Sequence, residues 1–318
     1  MLRIMVDESV WRRFPRTAQE FEAAFPDEAA CRKLLIELRW GGQPACVRCG
    51  SDRTWELANG RFECRSCGHQ MSVTAGTPLQ GTRKPLKLWF RALWEMAARK
   101  NGISAKDLQR ILGFGSYETA WVWMQKLRRC MVRHDRSRLE GHVVVDDAYF
   151  GAKSGRPGRP AEQKAAIFVA AEEDGRIRLE HAPDLSTSSV RSFVERNITE
   201  GSRVTTDGYG TYNRSTIRGR GHQQIIVKRL PGRSTDPIQN AHHAISLVQR
   251  FWIGTYHGAV SRKHFQAYLD EFEFRHNRRK TRGVGRIVAR VLEVLVHSQP
   301  ITYRTITQST PHPRFETT

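Results

Sequence analysis

Residues 46–68, CVRCGSDRTWELANGRFECRSCG, carry two CxxCG knuckles, and no other stretch restricts the fold as sharply. Cys46 and Cys49 make the first knuckle and Cys64 and Cys67 the second, with residues 50–63 between them. A CxxC turn points two thiolates at one centre, and the glycine after it eases the tight backbone. Two such turns supply four soft ligands, the set that suits tetrahedral Zn²⁺. A disulfide pair or a redox CxxC are the other readings. The doubling of the motif opposes the redox reading. The opening residues, MLRIMVDESVWRRF, lack the features of a secretory signal, which opposes disulfides. TWEL and RFEC read as two short strands between the knuckles, so a zinc ribbon is expected. Its metal is expected to be structural, because four protein ligands leave no open position for chemistry. Cys31 and Cys130 stand alone and are expected to be core thiols.

Charge suggests the partner. Lys and Arg number 52 against 32 Asp and Glu, a formal net charge of +20 spread along the chain. Such a field attracts polyanions, nucleic acid first among them. No run approaches 18 apolar residues, so a membrane span is not expected, and a cytoplasmic location is. After Pro85 the apolar period becomes helical: Leu86, Trp89, Phe90, Leu93, Trp94 and Met96 form one face. Ser104 then caps AKDLQRIL, Gly113 stops it, and Ser116 caps YETAWVWMQKLRR. Two helices joined by a short Gly-containing turn predict a helix-turn-helix, though a plain helical hairpin fits the same pattern. The first residues of the second helix would face bases, and Lys126, Arg128 and Arg129 would meet phosphates.

VVVDDAYFGA, residues 143–152, ends a buried-looking strand with two carboxylates. Further runs predict strands over 165–171 and 176–181 joined by a D-G turn, a helix over 188–197, and a strand over 204–206 ending in Asp207. GHQQIIVKRL predicts another strand, followed by a helix over 240–253. This order fits an RNase-H-like mixed sheet, in which the first and fourth strands are neighbours. Asp146 and Asp207 would then converge. Adjacent carboxylates repel, and divalent cations such as Mg²⁺ relieve that repulsion while activating water on a phosphodiester. Side chains alternate along a strand, so only one of Asp146 and Asp147 can point into the site.

The chain resembles the bacterial insertion-sequence transposases that join an N-terminal zinc ribbon to an RNase-H-like DDE domain. The blocks that carry the resemblance are CVRCG…CRSCG, QMSVTAGTPLQGTRKPLKLWFRAL, GISAKDLQRILG…TAWVWMQKLR, VVVDDAYFGAK, VTTDGYGTY and GTYHGAVSRKHFQAYLDEFEFRHNRR. The resemblance implies catalytic roles for Asp146 and Asp207, with His242 at the third position and His243 as the alternative placement. These three would hold Mg²⁺ or Mn²⁺, and an imidazole favours Mn²⁺. Asp147 falls on a supporting acid. Glu271, Arg275 and Arg278 share a helical face and would support the site; a surface ion-pair network is the competing reading. Gln249 occupies a position usually held by lysine, and Arg250 is its nearest substitute for phosphate contact.

The resemblance implies a DDE-type transposase that binds the terminal inverted repeats of its element, cleaves phosphodiester bonds and transfers 3′-hydroxyl ends to target DNA. Double-stranded DNA is the partner, as transposon end and as target. A homodimer or larger synaptic complex is expected. The alternative is a catalytically decayed or domesticated copy acting only as a DNA-binding protein. The expected fold class is α/β. The expected divisions are a helical segment over 1–40, the zinc ribbon over 41–82, the helix-turn-helix over 83–138 and the catalytic domain over 139–281. Residues 282–318 would hold a helix over 284–297 and a disordered end. GAKSGRPGRPAEQK reads as a flexible basic loop.

Overall fold

The computed structural model describes residues 15–133, 135–150, 165–173, 175–225, 238–258 and 261–308. The basic loop over 151–164, Asp174 of the D-G turn, the second half of GHQQIIVKRL and the last ten residues lie outside these. The described residues fall into two compact units: one runs to Arg133 and resumes at Lys280, and the other comprises the residues between.

The first unit opens with helices α1 (Ala18–Ala24) and α2 (Glu28–Trp40). Thr17 and Asp27 cap them by accepting the backbone N–H of Glu20 and Ala30. Gly41 ends α2 in the left-handed region, φ +66°. Strands β1 (Thr54–Glu56), β2 (Phe62–Cys64) and β3 (Gln70–Met71) form a small antiparallel sheet in that order. The first two match TWEL and RFEC; β3 is too short to leave a period in the sequence. Helix α3 (Leu86–Ala98) buries all six residues of its apolar face. Phe21 stacks on Trp94 at 4.6 Å between ring centroids, and Phe25 meets Phe90 edge-on. Helices α4 (Ala105–Leu112) and α5 (Tyr117–Arg129) follow. Ser104 and Ser116 cap them, and Gly113 at φ +64° breaks the chain between them, so the helix-turn-helix forms where the caps place it. Trp123 of α5 stacks on Trp89 at 3.5 Å and holds the pair against α3.

The second unit is built on five strands: β4 (His142–Phe150), β5 (Ala165–Glu172), β6 (Ile177–Ala182), β7 (Arg203–Thr206) and β8 (Gly221–Gln224). Their order is β6-β5-β4-β7-β8. The β6, β5 and β4 strands pair antiparallel, whereas β7 and β8 run parallel to β4. Helix α6 (Thr187–Asn197) covers one face through Val190, Phe193 and Val194, which pack with Val143, Val145 and Phe168. Helices α7 (Gln239–Tyr256) and α8 (Phe265–Asn277) cover the other through Ala241, Ala244, Val248, Phe265 and Leu269, which pack with Val144, Ile167 and Val169. Strand β4 is therefore buried on both faces, which is why its first half reads as an unbroken valine run. This is the mixed α/β, RNase-H-like arrangement expected from the sequence.

After Lys280 the chain adds α9 (Val284–His297) and α10 (Tyr303–Thr307) to the first unit. The apolar face of α9 packs on α2 and α3. Helix α10 corrects the expectation of disorder over ITYRTITQSTPHPRFETT, residues 301–318, within its described part. Thr302 caps it by accepting the Thr305 N–H, and Ile306 is only 1% exposed, so one buried side chain and one cap order a single turn.

Candidate active site and metal centre

The four cysteines of the knuckles converge. Cys46 Sγ stands 3.7 Å from Cys67 Sγ, and Cys49 Sγ 3.6 Å from Cys64 Sγ. All four sulfurs lie within 4.8 Å of one another. Tetrahedral Zn–S bonds require sulfurs about 3.8 Å apart, whereas a disulfide requires about 2 Å, so the set fits structural Zn²⁺. Burial opposes ionisation of Cys64, but the N–H groups of Cys67 and Ser66 and the neighbouring thiols bring it down to about 6. The knuckle backbone thus favours the thiolate that a metal needs. The remaining thiols, Cys31 and Cys130, are fully buried, and burial pushes both up to about 12.

In the second unit, the parallel pairing of β4 and β7 aligns Val145 with Thr206. Asp146 continues within β4, paired with Val169 of β5, and Asp207 is the first residue past the end of β7. Strand alternation then divides the acidic pair. Asp146 shares the Val144 face, beneath α7, and its Oδ2 lies 3.4 Å from His242 Nε2. Asp147 points to the opposite face, where Tyr212 donates its hydroxyl to Oδ1 at 2.7 Å. Burial raises the Asp146 carboxyl to about 6; the Asp147 N–H and His242 oppose the rise, and the charges of Asp147 and Asp207 add to it. Asp147 is raised by burial and by Asp207, against the Tyr212 hydrogen bond. Half-buried Asp207 turns its Oδ1 to the Tyr209 N–H at 3.0 Å. Among the described residues only the four sulfurs form a cluster of three or more donors within 4.8 Å, so Asp146, Asp207 and His242 do not all lie within that distance of one another. Two carboxylates and an imidazole are nonetheless the donor chemistry of a divalent cation that takes oxygen and nitrogen ligands. His243 is exposed on the same turn of α7 as His242.

The supporting face of α8 is not at the surface. Glu271 is fully buried, pairs with Arg275 at 2.7 Å and accepts the Tyr256 hydroxyl at 3.3 Å, which ties α8 to the helix that carries His242. Arg278 lies over the Phe274 ring, 4.0 Å from its centroid. Glu273, which no local pattern marks, is buried and accepts the Leu179 N–H, Arg178 and Arg136, locking α8 to β6. Tyr212 also went unread, because its partner lies on another strand.

In the helix-turn-helix an expectation is corrected. Arg128 is fully buried and cannot meet a phosphate. Its position follows from α5 packing: it lies one residue past Leu127 and four past Met124, inside the helix face that the unit covers. Lys126 is half-buried and spends its ammonium on the Pro78 carbonyl at 2.7 Å. Arg129 is half-buried as well, whereas Arg250 is exposed on α7 beside Gln249. The start of α5 is open to solvent, with Tyr117 51% exposed. Arg128→Ala should therefore act on stability, lowering it by about 2–5 kcal/mol as other core truncations do. A urea melt checks this, with the DNA affinity of the folded protein unchanged.

A buried carboxylate inside β4 and another just past the end of the adjacent parallel β7, in a β6-β5-β4-β7-β8 sheet, fit an RNase-H-like domain, and the expectation that Asp146 ends its strand is corrected because β4 runs on to Phe150. Residues 138–277 match the family model of the ISXO2-like transposase domain, and residues 26–70 match that of the transposase zinc-ribbon domain. The two matches together span more than half of the sequence, and the chain belongs to this family of zinc-ribbon transposases. No curated protein matches it.

Proposed function

We propose that this transposase binds the terminal inverted repeats of its element, cleaves one strand at each end and joins the freed 3′-hydroxyl to target DNA. The observation that supports the reading is the parallel β4–β7 register, in which Val145 pairs with Thr206 one residue before Asp146 and Asp207, together with His242 3.4 Å from Asp146. These three side chains would hold Mg²⁺ or Mn²⁺, with Asp147 behind them. When bound, the cations neutralise the phosphodiester and activate the attacking oxygen. The carboxylates fix the ion positions, and Glu271 with Arg275 holds α7 and α8 together so that His242 keeps its place. Arg250, two turns along α7 from His242 and exposed, is set to contact a backbone phosphate where Gln249 cannot. The start of α5 would enter a major groove. Both element ends must be held at once, so a dimer or larger assembly on double-stranded DNA is the working form.

A strand-transfer assay with oligonucleotide ends tests the proposal. Wild-type protein should join ends to target in Mg²⁺ or Mn²⁺, and Asp207→Ala should not. Binding of ends without joining by the wild type would instead identify a decayed, DNA-binding copy. The pH profile supplies a second check. A proton on Asp146 competes with a cation, so joining should rise as pH climbs through about 6 and level off above it. A profile flat from pH 5 to 8 would oppose ligation by Asp146.

A further inference from the structure

We propose that Asp147 and Tyr212 form a positioning pair that sets where the Asp207 carboxylate stands relative to Asp146. The inference rests on the metal-dependent reading above. Neither residue is assigned contact with reacting atoms; they act through Asp207.

The need for such a pair follows from where the sheet stops. Strand pairing fixes Asp146 within β4, but β7 ends at Thr206, so no ladder hydrogen bond within β7 holds Asp207. Asp207 instead opens a short loop, GYGTY, that folds on itself. Its Oδ1 accepts the Tyr209 N–H, the Tyr212 N–H donates to the Tyr209 carbonyl at 3.0 Å, and the Gln224 side-chain amide reaches the carbonyls of Tyr209 and Tyr212. This closed loop has one anchor on the strand that bears Asp146. Tyr212 is fully buried among Val143, Val145 and Phe193, and its hydroxyl donates to Asp147, the residue next to Asp146. The ring fixes the loop's depth and the hydroxyl fixes its position along β4. Alternation explains the choice of residue: Asp146 faces α7 and its neighbour faces the Tyr212 side, so one dipeptide presents an acid to each face. A carboxylate held beside two other acids is costly, and a buried tyrosine needing only an acceptor would be served as well by a neutral one. The pair therefore requires an acceptor oxygen at position 147, not a charge, and this separates it from direct ligation.

The test measures Mn²⁺ binding to the DNA-free protein from the electron paramagnetic resonance signal of unbound Mn²⁺, alongside strand transfer and circular dichroism melts. The binding that Asp146→Asn removes defines the site. Tyr212→Phe keeps the ring and deletes the donor, and Asp147→Ala deletes the acceptor. Each should weaken Mn²⁺ binding about 10- to 100-fold, as loss of groups that orient metal ligands does. Asp147→Asn keeps an acceptor oxygen and should bind within a few-fold of wild type. Folded Tyr212→Phe binding Mn²⁺ as wild type does would overturn the proposal. So would Asp147→Asn losing binding as fully as Asp146→Asn, which would make Asp147 a ligand. If Tyr212→Phe does not fold, the contrast between Asp147→Ala and Asp147→Asn decides by the same criteria. Wild-type protein without any Asp146-dependent Mn²⁺ site would overturn the metal-dependent reading itself, which is a different result from a wild-type-like Tyr212→Phe.

Discussion

Asp146→Asn is expected to abolish DNA joining and yet leave the protein more stable at neutral pH. Amide for carboxylate preserves shape and the acceptor for the Asp147 N–H. It removes one charge from the proposed cation site, a loss of several kcal/mol of transition-state stabilisation, or about 10³-fold or more in rate. The stability gain has the opposite cause. The folded carboxyl titrates at about 6 rather than its ordinary 3.8, chiefly through burial. A carboxyl raised in this way favours the folded state only while protonated, and that contribution is lost as pH climbs from about 4 to about 6. At pH 7 the wild type carries the whole cost. Relieving it should add about 1–3 kcal/mol, the lower figure allowing for the lost attraction to His242. Thermal melts at pH 7 without added Mg²⁺ or Mn²⁺ should show the gain, and melts near pH 4 should not. A lower melting temperature for Asp146→Asn at pH 7 would mean that the carboxylate is a net stabilising group and that burial does not dominate its environment.

Removing zinc should unfold the ribbon and abolish recognition of DNA ends while leaving the sheet unit folded. The ribbon has little else to hold it: three strands of two or three residues, and between the first knuckle and β3 a buried set of Phe62, Met71, Cys46 and Cys64. So small a core does not offset the entropy of ordering the knuckles, and structural Zn²⁺ contributes on the order of 10 kcal/mol in such modules. Arg39 shows how the loss would spread. Its guanidinium donates to the carbonyls of Val73 and Ala75, just after β3, and so couples the ribbon to α2. A zinc chelator, or Cys64→Ser, should release a single zinc ion per chain and eliminate binding to terminal repeats. Hydrogen exchange should report loss of protection over residues 44–75 with protection in β4 and β5 retained. Retained binding to ends after complete zinc loss would place recognition elsewhere.

The sequence made these two centres legible to different degrees, for physical reasons. Thiolates three residues apart are a local pattern, so the zinc set could be read directly from Cys46 to Cys67. The caps Ser104 and Ser116 and the breaker Gly113 are local too, and the helix-turn-helix forms where they stand. The valine run of β4 announced a strand buried on both faces, and alternation divided Asp146 from Asp147. What stayed hidden was decided by distant packing. Arg128 looks like a surface cation in the run KLRR, yet helix phase turns it inward. Glu271 and Glu273 look like surface charges on α8, but both are buried, one against Arg275 and Tyr256, the other against Arg178, Arg136 and a β6 backbone N–H. Tyr212 finds its acceptor 65 residues away on another strand. The helix over 303–307 has no period because a single apolar residue anchors it.

The central claim is that Asp146, Asp207 and His242 gather divalent cations in one pocket. Anomalous diffraction from crystals of the intact chain grown with Mn²⁺ tests it most directly. The account predicts a manganese peak between the Asp146 and Asp207 carboxylates, on the α7 face of β4, that disappears in Asp146→Asn crystals. At saturating Mn²⁺, a map with no peak there, or with manganese only at sites remote from both aspartates, would contradict it.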